Sequence, residues 1–107
     1  MTKGQLLRFK KQIINLYKSP PLVRRHILRN ASDSFVKILA ESALNILRNN
    51  IALNRREKNK LSKHKSIIRK LASRKVNLRT KRTILQARGG FLISFLKPIV
   101  KVLSQLF

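Results

Sequence analysis

Along the first half of the chain, apolar residues recur at helical spacing. Between residues 5 and 18, Leu6, Phe9, Ile13, Leu16 and Tyr17 share one side, with Arg8, Lys11 and Lys18 mostly opposite, which predicts an amphipathic helix. Ser19-Pro20-Pro21 ends it, because proline has no N–H to donate and restricts the residue before it. Pro21 also suits the first turn of a second helix, about 21–30, with Leu22, Val23, Ile27 and Leu28 directed inward. Ser32 and Asp33 are N-cap candidates for a third helix, about 33–53. It carries Phe35, Ile38, Leu39, Ala43, Ile46, Leu47 and Leu53 on one side, and Val36, Ala40, Leu44 and Ile51 widen the stripe. That breadth predicts the most buried helix and the centre of the core.

The second half is patterned differently. Residues 54–60 contain no apolar side chain and are expected to be a solvated loop or an exposed continuation of the third helix. A fourth helix, about 60–73, places Leu61, Ile68, Leu71 and Ala72 on one face, interleaved with basic residues. Val76-Asn77-Leu78 turns the chain into a short fifth helix, about 78–88, with Leu78, Ile84 and Leu85 apolar. Gly89-Gly90 is expected to stop it, since glycine takes the left-handed conformation that closes helices. In the remaining stretch, 91–107, eleven of 17 residues are apolar. The exceptions, Ser94, Lys97, Pro98, Lys101, Ser104 and Gln105, fall within an arc of roughly 120°. No alternating strand pattern or repeat is present. The chain reads as all-α, a small bundle of four to five helices plus a C-terminal amphipathic helix.

Charge divides the chain into three zones. Residues 1–53 carry a net +8, residues 54–88 a net +13 and residues 89–107 a net +2, making the total of +23. The expected organisation is therefore a helical core part (1–53), a polybasic helical segment (54–88) and an apolar amphipathic tail after the double glycine (89–107). An apolar content of 43% is too high for a disordered cationic tail, yet +23 opposes compaction by self-repulsion. A partner that supplies anions reconciles the two. Arg55, Arg56, Lys58, Lys60, Lys63, Lys65, Arg69, Lys70, Arg74, Lys75, Arg79, Lys81, Arg82 and Arg88 are the candidate phosphate-contacting residues. An ordinary solvated face intersperses acids, and here Glu57 is the single acid among fourteen cations.

Other chemistries find little material. The absence of cysteine excludes disulfides, thiol chemistry and a cysteine zinc site. Asp33, Glu41 and Glu57 are the only carboxylates, too few for the usual acid/base pairings or a hard-metal cage. His26 and His64 have no ligand cluster beside them, so no metal and no cofactor is expected, and no catalysis. Ser32, Ser34, Ser62, Ser66 and Ser73 read as caps or as phosphorylation targets that discharge the basic surface. The N-terminal stretch is basic and free of acids, as transit peptides are, but has no continuous apolar run of a secretory signal. There is no zinc-finger spacing or aromatic-rich RNA-binding motif, so binding driven by the phosphate backbone, with little sequence selectivity, is expected.

The run from Leu61 through Ser-Lys-His-Lys-Ser-Ile-Ile-Arg-Lys-Leu-Ala-Ser-Arg-Lys-Val-Asn-Leu-Arg-Thr-Lys-Arg-Thr-Ile-Leu-Gln-Ala-Arg to Gly89-Gly90-Phe91, with the tail behind it, resembles small basic proteins of Maverick/Polinton elements and adintovirus-like viruses. In those, a Lys/Arg-rich helical segment leads into Gly-Gly and an apolar tail. The resemblance covers about residues 60–107. It implies a virion-associated, genome-packaging protein, comparable in role to the basic core precursors of adenoviruses, located in the virion or host nucleus. It also implies that Gly89, Gly90 and Phe91 form a protease processing site cut before Phe91. Such sites usually carry Met, Ile or Leu two residues before the first glycine, where this chain has Ala87.

Three functions follow as expectations. The first is a non-enzymatic nucleic-acid-binding protein, with DNA favoured over RNA. The second is a membrane-active or minor capsid protein acting through the tail face Phe91, Leu92, Phe95, Leu96, Ile99, Val100, Leu103, Leu106 and Phe107, toward anionic membrane or a capsid partner. Self-association through that face is a further expectation. The third is a ribosomal-type RNA-binding protein. Burial of Phe95, Leu96, Ile99 and Leu103 in the folded chain is the observation that separates a core tail from a membrane-active one.

Overall fold

The structure is a computed structural model, which describes residues 3–87 and 89–106, without the side chains of Lys3, Ala87, Gln105 and Leu106. Among them are eight helices and no strand: α1 (Lys3–Arg8), α2 (Lys10–Lys18), α3 (Pro21–Asn30), α4 (Asp33–Leu47), α5 (Arg55–Ser62), α6 (Lys65–Ala72), α7 (Leu78–Ala87) and α8 (Gly89–Leu106). The all-α expectation holds. The helix count does not: the expected first and third helices divide, and so does the expected fourth (60–73), which breaks at Lys63-His64 and leaves Leu61 in α5 and Ile68 and Leu71 in α6.

The expected first helix divides at Phe9, whose backbone leaves helical geometry (φ −102°, ψ 8°) while its ring meets Phe35 edge-on at 5.9 Å. The expected long third helix ends at Leu47 rather than at 53. Asn49 adopts φ 59°, the left-handed position that closes a helix and that asparagine tolerates. The N–H of Asn50 donates to the carbonyl of Asn45 at 2.9 Å, and its side-chain amide donates to Asn45 Oδ1 at 2.9 Å. Residues 55–60, expected as loop or continuation, belong to a separate helix, α5. Its cause is a capping box. Asn54 Oδ1 accepts from the Glu57 N–H at 2.8 Å, and Glu57 Oε1 accepts from the Asn54 N–H at 3.0 Å.

Gly89 and Gly90 also depart from expectation. No described glycine has positive φ, and the pair forms the first turn of α8 instead of closing α7. Other punctuation lies where the sequence puts it. Ser19 and Pro20 end α2, Ser32 Oγ accepts from the Phe35 N–H at 3.1 Å to cap α4, and Asn77 Oδ1 accepts from the Thr80 N–H at 2.8 Å at the start of α7.

One core unites the three charge zones. Ile13 and Leu16 of α2, Leu28 of α3, Phe35, Val36, Leu39 and Ala43 of α4, Leu71 of α6, Leu85 of α7 and Phe91, Phe95, Leu96, Ile99 and Leu103 of α8 are all essentially inaccessible. α4 packs on α6 and α7, α8 packs on α2 and α5, and α3 packs on α7. The molecule measures 31 × 29 × 27 Å.

Two inward assignments change. In α3, Leu22 (78% exposed) and Val23 (46%) face out, and the inner positions fall to Arg24 and Leu28, one turn apart. In α8, Pro98 lies on the polar arc of the isolated helix yet is buried, because neighbouring helices cover part of that arc.

Candidate nucleic-acid interface

The basic surface is built on three short helices, each held by a narrow apolar stripe. α5 buries Leu61, α6 buries Ile68 and Leu71, and α7 buries Leu85 with Leu78 and Ile84 half-buried. A stripe of one or two residues per turn leaves the rest of each helix free, and that remainder is cationic. Arg55, Arg56, Lys58, Lys60, Lys63, Lys65, Arg69, Lys70, Arg74, Lys75 and Arg79 are all exposed. Arg55, Arg56, Lys60 and Lys63 line, with Asn59, a shallow depression of about 420 Å³ on the outer side of α5.

Glu57, the one acid of this zone, does not dilute that surface. It is 6% exposed, caps α5 through its own carboxylate, and lies 3.7 Å from the ammonium of Lys101 on α8. Its charge is spent inward, on the helix N-terminus and the α5–α8 contact. The outward-facing side of α5 and α6 therefore carries cations and neutral polar groups alone.

Two of the fourteen expected contact residues are placed differently. Arg82 is a clamp. Its Nη1 donates to the carbonyls of Leu28 (2.8 Å) and Ala31 (2.6 Å), and its Nη2 donates to Asp33 Oδ1 at 3.0 Å. It thereby satisfies carbonyls left open at the end of α3 and ties α7 to the start of α4. Lys81 is buried, at 8% exposure, and desolvation lowers its pKa from the usual 10.5. Arg88 lies outside the described residues.

The fold also recruits cations that the segment count left out. Lys37 and Arg48, both on or just beyond α4, share a cleft with Arg74 and Lys81. Lys97 of α8 joins Arg56 and Lys60 around a second cleft of about 280 Å³, beside Tyr17. No local pattern announces either grouping, since each joins residues far apart in the chain.

The tail face is occupied by the protein itself. Phe91, Leu92, Phe95, Leu96, Ile99 and Leu103 are at most 2% exposed, and Val100 is half-buried. The Leu106 side chain and Phe107 lie outside what is described. Phe91 stacks on Phe95 (centroids 5.5 Å apart, planes 14° apart) and receives the edge of His64 at 5.5 Å. His64 thus packs against the core, and among the described residues no group of three or more His, Asp or Glu side chains could hold a metal. No helix among them is long and apolar enough to cross a membrane. The expected processing site sits in the first turn of α8 with Phe91 buried, so a cut before Phe91 requires that turn to open.

No protein-family model, curated protein or solved structure matches this chain.

Proposed function

We propose that this is a non-enzymatic nucleic-acid-binding protein that grips the phosphate backbone with little sequence selectivity. One observation carries the reading. Eleven cations of residues 55–79 are exposed together, while the only acid among them is turned inward. Such a surface gains by releasing condensed counterions from a polyanion. Residues 55–79 contain no Phe, Tyr or Trp on which bases could stack, which favours a paired backbone over splayed single strands. The resemblance of residues 60–107 to basic proteins of Polinton-like elements supports genome packaging as the setting, in a virion or host nucleus.

Fluorescence anisotropy with a random DNA duplex tests this. If about six phosphates are engaged, affinity falls on the order of a thousandfold between about 50 and 200 mM salt. Absence of binding at the lower salt, or binding indifferent to salt, defeats the proposal. A preference for structured RNA over duplex DNA at matched salt moves it to the ribosomal type. The membrane-active reading draws no support from the intact chain, whose tail face is already packed in the core.

A further inference from the structure

The cleft between α4 and α7 draws four cations together, one of them buried. Its volume is about 360 Å³, at the lower end of the range for ligand pockets. Lys37 and Arg48 come from the α4 side, Arg74 from the loop after α6, and Lys81 from the second turn of α7. The remaining wall is Ala40, Leu44, Ala72 and Leu78, with Glu41 the one carboxylate and Asn45 beside it. The Asn45 amide is engaged elsewhere, donating to the Glu41 carbonyl and accepting from Asn50.

Lys81 is 8% exposed and lines the cleft, and burial lowers its pKa from the usual 10.5. Four cations gathered around one carboxylate repel one another, and the burial of Lys81 adds a desolvation cost. Chains usually avoid such an arrangement or supply the anion from within. This one leaves the ammonium facing a cleft that opens to the surface at Arg74, next to the exposed Lys75 and Arg79.

We propose that this cleft is a phosphate site, in which Lys81 at the floor and Lys37, Arg48 and Arg74 around it hold one phosphate group of a bound nucleic-acid backbone. The inference rests on the nucleic-acid reading above and adds an anchor to it. The exposed cations of α5 and α6 supply a diffuse field, whereas the cleft gives one phosphate a fixed seat. Anions in such a seat are worth more than at the surface, since water screens the contact less. The apolar wall suits the sugar edge of the same backbone.

The test compares single variants of the full chain in binding a random DNA duplex. Lys81→Met keeps the buried stem and removes the charge, and it is expected to weaken binding about tenfold, the size of one desolvated charged hydrogen bond. Lys63→Gln, on the open surface of α5, is expected to cost about two- to threefold. Arg48→Gln, at the exposed C-cap of α4, is expected to fall between them and guards against a folding artefact at Lys81. In parallel, inorganic phosphate titrated into the ¹⁵N-labelled protein is expected to shift cleft amides first, and to lose that preference in Lys81→Met.

A Lys81→Met variant that binds duplex within twofold of the parent overturns the cleft while leaving the nucleic-acid reading standing. Phosphate shifts spread evenly over α5 and α6 do the same. If the parent ignores duplex but engages vesicles carrying phosphoinositide headgroups through the cleft, both the occupant proposed here and the nucleic-acid reading fail together.

Discussion

α6 and α8 are both amphipathic, and the fold uses them in opposite ways. α6 buries Ile68 and Leu71 and leaves Lys65, Arg69 and Lys70 in solvent. Among its described residues α8 buries seven, Pro98 included, and sets even its wet side partly against α5, where Lys101 approaches Glu57. Apolar burial and exposed charge have been assigned to different helices. This is how a chain of +23 reaches a packed core: α5 and α6, which carry much of the charge, each bury only one or two apolar side chains, and those reach the same core as α4 and α8. Charge can then be changed on the exposed side of α5 and α6 with little effect on folding, whereas the buried positions of α8 cannot be truncated without a large loss of stability.

The largest expected effect breaks α8. Phe95→Ala removes a fully buried ring that stacks on Phe91 and should cost about 3–5 kcal/mol, a large share of the roughly 5–15 kcal/mol available to a domain. Urea denaturation reads this directly, and a midpoint near that of the parent means that α8 is dispensable to the core. Next is Arg82→Met, which strips the clamp from the α3–α4 turn and should cost about 2–3 kcal/mol. Its foil is Arg79→Met on the same helix, exposed and expected within about 0.5 kcal/mol. Equal losses in the two variants deny Arg82 its special place. Smaller again, Asn54→Ala removes half of the α5 capping box and should cost about 1 kcal/mol, with α5 amides exchanging faster than those of α4.

The smallest effect is a pH slope at Lys81. Its pKa in the folded chain lies below the usual 10.5, so the unfolded chain holds that proton more tightly. The protonated folded form is therefore penalised below the folded pKa, and stability rises as pH climbs from there toward 10.5. Lys81→Met should be the more stable protein at neutral pH, its advantage shrinking by about pH 10.5 as the parent loses the proton in both states. An advantage that stays constant with pH contradicts the assignment of the slope to Lys81.

Much of this was legible locally. Capping and turn residues at Ser32, Asn77 and Pro20 acted where they stand, because a cap is a contact between residues three apart. The spacing of Ile68 and Leu71 announced the inner face of α6 for the same reason. Some misread positions were decided by distant partners, others by local signals passed over, such as the Asn54–Glu57 capping box. Leu22 and Val23 looked as suitable for burial as Leu28, but what lies over α3 comes from α7, which sets its rotation. Asn49 carries a mild left-handed preference that the apolar run through Leu53 masked.

By itself, the sequence determined the helical class, the inner stripes of α2, α4, α6 and α8 and the concentration of +13 within residues 54–88. Those properties depend on neighbours within one or two turns, which the chain order specifies. Only the tertiary structure decided which cations remain free, that Arg82 is a clamp, that Glu57 faces inward, and that Lys37, Arg48, Arg74 and Lys81 surround one cleft. It also decided the fate of the tail. An apolar stripe states that something must cover it, and the covering surface here is built from α2 and α5, elements that lie far away in the chain and close by only after folding.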